Sequence, residues 1–159
     1  MRSDERLPLR IVVDTNILVR GTLSASGASA LVIEALKRGR CTLITSRAHL
    51  SELYRVLSRP RLMRRYGVTS KRRKQLVSRL YAGSIFVTPT GKLALCRDPE
   101  DDFLLEMALL GRATHLVTED ADLYDAPDIL ELLRQHGARV MRLAEFLVDL
   151  AQSSTPSNH

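Results

Sequence analysis

"LRIVVDTNIL", residues 9–18, begins as an apolar strand and breaks at an aspartate. "RIVVD" (10–14) has no polar alternation, which predicts a strand buried on both faces, as in a parallel sheet covered by helices. Asp14 falls where that strand ends. An Asx turn would explain it, since "DTN" is turn-prone. So would a site, because open α/β sheets place ligands at the carboxyl ends of their strands.

Working outward, the pattern repeats. After a loop, "SGASALVIEALKRG" (26–39) carries apolar residues at helical spacing with Gly39 as a stop, and "CTLIT" (41–45) is a second strand. Thr45 or Ser46 can cap "SRAHLSELYRVLS", whose Leu50, Leu53 and Leu57 share a face and which Pro60 follows. "TSKRRKQLVSRLYAG" (69–83) is a capped helix with a basic face, and "SIFVT" (84–88) a third strand. "DPEDDFLLEMALLG" (98–111) opens with an Asp cap, Pro at the first helical position and acids in the first turn. "HLVT" (115–118), the helix "PDILELLRQHG", the strand "ARVM" (138–141) and the helix "RLAEFLVDL" complete the chain. Short strands alternating with helices predict one α/β domain over residues 1–150, with a frayed polar tail at 151–159.

The 159 residues are 45% hydrophobic and 26% charged, as in a globular domain. No apolar run approaches the ~20 residues of a membrane span, and "MRSDERLPLR" lacks a secretory h-region. Cys41 and Cys96 lack metal-ligand spacing, and buried reduced thiols in a cytoplasmic protein are expected. Net charge is +6, and twelve of the 24 Lys and Arg lie between Leu53 and Arg97, a stretch without one Asp or Glu. Arg59, Arg61, Arg64, Arg65, Lys71, Arg72, Arg73 and Lys74 form its dense part. A solvated helix face usually mixes signs, so a one-sign block suggests a polyanionic partner, with nucleic acid the leading expectation.

The acids fall in matching places. Asp120 and Asp122 follow the fourth strand, Asp101 lies in the first turn of a helix entering from that edge, and Glu52 sits on the helix after strand two. Crowded carboxylates raise one another's pKa, and divalent cations relieve that repulsion. Oxygen-only ligation without His or Cys suits Mg²⁺ or Mn²⁺. Such a centre beside a basic flank has the makings of a phosphodiesterase. Each acid also has a structural explanation: Asp98 as helix cap, Glu100 and Asp102 as dipole partners, Glu52 as a partner of Arg55.

These residues resemble the PIN-domain family. "VVDTNIL", "HLSELYRVL", "CRDPEDDFLLEMAL" and "ATHLVTEDADL" are similar to its four acidic motifs in order, over roughly residues 9–150. Within the family the likeness is to toxin components of toxin–antitoxin systems, VapC-like ribonucleases. The resemblance implies a three-layer α/β/α sandwich around a parallel sheet of about five strands, and metal-dependent endoribonuclease activity. Carried over, Asp14, Glu52, Asp101 and Asp120 are the catalytic and metal-binding acids, with Thr15, Asn16 and Thr118 orienting them from behind. Asp98 and Asp102 are alternatives to Asp101, chosen for its spacing to Leu105 and Ala108, and Asp122 can share or take over the role of Asp120. RNA and a cognate antitoxin are the implied partners; a homodimer or higher oligomer is compatible with the pattern.

Two other strand-end aspartate enzymes fit less well. A haloacid-dehalogenase phosphatase needs a second Asp where Asn16 stands, and a response receiver needs one after strand three, where "VTPTGK" lies. The non-enzymatic alternative is a nucleic-acid-binding or antitoxin-binding PIN-like domain, whose signature would be a missing acid. His49, three residues before Glu52 and without a second His nearby, is expected to be partly buried or solvent-facing rather than a ligand.

Overall fold

A computed structural model describes residues 8–153. β1 (Leu9–Val13), β2 (Cys41–Thr45), β3 (Ile85–Phe86), β4 (His115–Val117) and β5 (Arg139–Met141) form one sheet in the order β3-β2-β1-β4-β5. Every pairing is parallel, with Ile11 opposite Leu43, Val13 opposite Val117 and Val117 opposite Met141. From β1 the chain winds outward to β2 and β3, then returns to the other side of β1 for β4 and β5. The order therefore reverses at β1, and a crevice opens beyond the ends of β1 and β4.

Alternating strand residues enter two cores. Ile11 and Val13 face α1 (Thr15–Leu23), α2 (Ala28–Lys37), α3 (Arg47–Leu57), α5 (Ser70–Ala82) and α9 (Leu143–Ser153), with Phe146 and Leu53 fully buried between them. Val12, Ile44 and Leu116 face α6 (Pro99–Leu110), α7 (Ala121–Tyr124) and α8 (Pro127–Gln135). The result is the expected α/β/α sandwich. Both cysteines are free, Cys41 buried and Cys96 half-buried. No helix among the described residues is long and apolar enough to cross a membrane.

The structure departs from the sequence expectations in several places, among them the short helix α7 where a loop was expected. The segment after Asp14 is a helix, not a loop, because the Asp14 carboxylate accepts from Asn16 N–H and caps it. Pro60 does not merely end α3; it starts a separate helix, α4 (Pro60–Tyr66), where its missing N–H costs nothing. β3 has two residues rather than five, since the Ser84 hydroxyl donates to Leu80 O at the end of α5 and Pro89 stops the ladder beyond. α9 continues to Ser153, three residues into the expected tail; residues 154–159 lie outside the described residues, as do 1–7.

α1 and α2 meet closely at Gly21. A Cβ there would lie 2.5 Å from the backbone oxygen of Ser29 and 2.6 Å from Ile33 Cγ1. Gly21→Ala is therefore expected to lower stability by about 1–3 kcal/mol in urea denaturation, where an ordinary buried Gly→Ala in a helix would be neutral or stabilising.

Candidate functional site

The first fixed point is Asp14. Its N–H donates to Val117 O at 3.0 Å, extending the β1–β4 ladder one residue past the strand. That register sets Asp14 beside Thr118, whose hydroxyl donates to Asp14 Oδ2 at 3.3 Å and accepts from Asp120 N–H at 3.1 Å. Asn16 N–H donates to the other oxygen, Oδ1, at 2.9 Å. Thr118 is fully buried, so this link is sheltered from competing water.

The first turn of α6 supplies the next acids and separates their uses. Asp98 is the cap, accepting from Glu100 N–H at 2.9 Å. Asp102 turns away and accepts from Leu95 N–H and Cys96 N–H, both at 2.8 Å; those bonds hold its carboxyl below the ordinary value despite burial. Asp101 points to the crevice. It is 5% exposed, and its Oδ2 has no hydrogen-bond partner. Burial first, then the neighbouring Asp120 carboxylate, pushes its pKa up to about 7. Carboxylate oxygens of Asp101, Asp120 and Asp122 lie within 4.8 Å of one another.

A cavity of about 600 Å³ collects the rest. Asp14, Thr15, Asn16, Glu52, Asp98, Asp101 and Asp120 all line it, so the four acids expected as ligands share one space. The tight oxygen triplet, however, contains Asp122 and not Asp14 or Glu52. Asp102 is the alternative that the fold commits elsewhere: both amides it clamps belong to the loop before α6.

Beyond the expected acids, the charged lining of the cavity adds Glu100, Arg55 and Arg59, of which Arg59 is already expected as a nucleic-acid contact. Glu100 lines it, and its carboxyl is raised chiefly by Glu52, with smaller contributions from desolvation, Asp98 and Asp14. Nothing in its sequence position distinguishes it from a first-turn dipole partner. Arg55 and Arg59 also line it and set positive charge against the acids. For Arg55 the spacing from Glu52 was the available signal, since i+3 lies on the same face of α3; Arg59 lies past the end of α3 at the cap of α4.

His49 is 2% exposed, with Nδ1 3.2 Å from Thr45 Oγ1 and Nε2 buried without a partner. Burial pushes its pKa down to about 4, leaving a neutral ring at pH 7. Its own N–H donates to Ser46 Oγ at 3.1 Å, part of the α3 cap.

The basic segment divides as well. Arg59, Arg61, Arg64 and Arg65 at and on α4, and Lys71, Arg72 and Lys74 on α5, are exposed. Arg73 faces inward: it donates to Tyr54 Oη at 3.0 Å, contacts Met63 Sδ at 3.3 Å and lies 4.5 Å above the Tyr54 ring. It joins α5 to α3 and α4, and is not placed to meet a phosphate.

Comparison with known proteins agrees with this arrangement. A family model described as "PIN domain" matches residues 10–122, which include all four acidic segments. The chain is also 24% identical over 129 residues to the uncharacterized protein MJ1680 of Methanocaldococcus jannaschii, covering 80% of this chain and 81% of that one. No solved structure matches. PIN domains are generally nucleases that use divalent metals, and an acidic rim at the sheet's switch point is where this chain keeps its carboxylates. The chain belongs to the PIN-domain family.

Proposed function

We propose that the protein is an endoribonuclease that hydrolyses RNA phosphodiester bonds with Mg²⁺ or Mn²⁺. One observation carries this: Asp101 has a buried oxygen without a donor, and its carboxylate approaches those of Asp120 and Asp122 to within 4.8 Å. An all-oxygen donor set with an unpartnered buried carboxyl oxygen fits a hard divalent cation. Asp14, Glu52, Asp101 and Asp120 are the proposed ligands, with Asp122 sharing the position of Asp120. The cation supplies Lewis acidity toward the phosphodiester and its attacking water.

The chain's own residues do the rest. Thr118 holds the Asp14 carboxylate in register with Asp120 through its two hydrogen bonds. Arg55 and Arg59, on the cavity wall, offer guanidinium groups to the phosphate oxygens. The exposed cations of α4 and α5 hold the flanking backbone. Hydrolysis then adds a water oxygen to phosphorus as the bond to the departing sugar oxygen breaks, with one proton lost from the water and one taken up from solvent by the sugar oxygen.

The toxin role in a toxin–antitoxin pair is the finer part of the proposal and rests on sequence resemblance alone. Purified protein should cut structured RNA in Mn²⁺ and not in EDTA, and Asp14→Asn should fall to the detection limit. Thr118→Val should lose about 10–100-fold, the range for a residue that orients a ligand. Metal-independent RNA binding without cleavage would favour the non-catalytic alternative. Induced expression should halt growth for the wild type and not for Asp14→Asn; unaffected growth would contradict the toxin role.

Metal removal has a stability consequence. The ordinary aspartate value is 3.8 and the folded Asp101 value about 7, so the native state keeps a proton that the unfolded chain has released between those pH values. Stability of the metal-free protein therefore falls as pH rises through that window. In EDTA at pH 8, Asp101→Asn should raise Tm by about 3 °C or more, with little change at pH 4. Adding Mn²⁺ should raise Tm of the wild type and not of the variant.

A further inference from the structure

The acids gather at the carboxyl rim of the sheet, and a second cavity, of about 470 Å³, lies at the amino rim. Cys41, the first residue of β2, and Ser84, just before β3, line it and mark that rim. Thr22, Lys37 and Arg79 reach it from the last turns of α1, α2 and α5. Its body is aliphatic, with Ile33, Leu36, Leu43, Leu76 and Leu80 on the walls. It shares no lining residue with the acidic cavity.

Two features distinguish it from a gap in packing. Thr22 is 6% exposed, yet its hydroxyl has no hydrogen-bond partner. Helical threonines commonly donate to the carbonyl one turn back, and this one keeps its donor unused. The charge on the walls is also of one sign. Lys37 and Arg79 are exposed, and no Asp or Glu lines the cavity. Glu34, the acid of α2, is bound to Arg38 at 2.7 Å. Burial pushes the Cys41 thiol up to about 11, so it adds no negative charge at neutral pH. Lys37 and Arg79 also line a shallower depression whose other cations are Lys71 and Arg72, so the positive charge is a patch rather than a pair.

We propose that this cavity binds a small anionic amphiphile, with its apolar chain among the leucines and its carboxylate held by Lys37 and Arg79. The volume falls within the range of small-molecule pockets, roughly 300–1,000 Å³. Withdrawing an alkyl chain from water against aliphatic walls is favourable. The two cations fix which end faces outward, and Thr22 supplies a neutral donor to a head-group oxygen. No aromatic ring lines the cavity, so a nucleobase finds no face to stack on.

The test is isothermal titration calorimetry of the full chain with decanoate, acetate and decyltrimethylammonium, each below its micelle concentration. One decanoate should bind per chain, and acetate, which has the head without the chain, should not. Lys37→Glu and Arg79→Glu should each weaken decanoate binding by about tenfold. Thr22→Val, which keeps the shape and removes the hydroxyl, should weaken it by about two- to tenfold. The double variant Lys37→Glu/Arg79→Glu should take up decyltrimethylammonium, which the wild type refuses, and so report an intact apolar interior. Absence of decanoate binding overturns the inference. Equal decanoate affinity across the charge variants overturns it too, as does equal uptake of the cationic amphiphile by the wild type. Capture of the chain by phosphatidylglycerol vesicles without one-to-one decanoate binding also overturns it, and assigns the basic wall to a membrane surface instead.

Discussion

The hydrogen bond from Asp14 N–H to Val117 O fixes the geometry on which everything else depends. It carries the β1–β4 pairing one step past the strands and so brings Thr118 against the Asp14 carboxylate. Thr118 in turn receives Asp120 N–H, and Asp120 caps α7 through Asp122 N–H. Residues more than a hundred positions apart are thereby locked at one rim by parallel-sheet register. α6 adds Asp101 from above, with the positive end of its helix dipole turned to the same space. Like charges so placed repel, and the raised Asp101 value records that repulsion together with burial. A rim of this kind is held by the sheet, not by attraction among its own side chains.

Neighbouring residues of identical type do different things, and hydrogen-bond supply decides which. Asp102 and Glu106 are both buried, yet each is matched to donors: Leu95 and Cys96 N–H for the first, Thr90 N–H, Thr90 hydroxyl and Gly91 N–H for the second. Hydrogen bonds to a charged acceptor contribute about 1.5–3 kcal/mol each, enough to hold a carboxylate ionised under cover. Those two pin the irregular stretch between β3 and α6. Glu119 caps α9 by accepting Leu143 N–H at 2.9 Å. Asp101 alone among the buried acids of the described residues keeps a fully covered oxygen without a donor. The same division runs through the cations, where Arg73 is spent on packing and its neighbours face solvent.

The sheet was legible because its strands are continuous apolar runs, and Val12 and Val13, buried on opposite faces, show why no alternation was visible. The caps at Ser46, Thr69 and Asp98 were legible from residue type. α4 was not: none of its residues is buried, so it has no apolar period to read, and Pro60 looks the same whether it stops one helix or starts another. α1 was hidden because Asp14 reads equally as a turn residue or a cap. In the site, spacing to Leu105 and Ala108 placed Asp101 on the covered face of α6. That Glu100 would face Glu52, and that Asp102 would turn to a loop, depends on contacts across the fold that no local pattern encodes.

The central claim is that these carboxylates jointly hold a hard divalent cation. Crystals soaked in Mn²⁺ and measured at the manganese edge test it most directly. The account predicts an anomalous peak in the acidic cavity, about 2.0–2.3 Å from oxygens of Asp101 and Asp120, with Asp14 in the same coordination sphere directly or through water. A cavity without a peak at saturating Mn²⁺, or manganese bound only at surface acids outside it, would contradict the account.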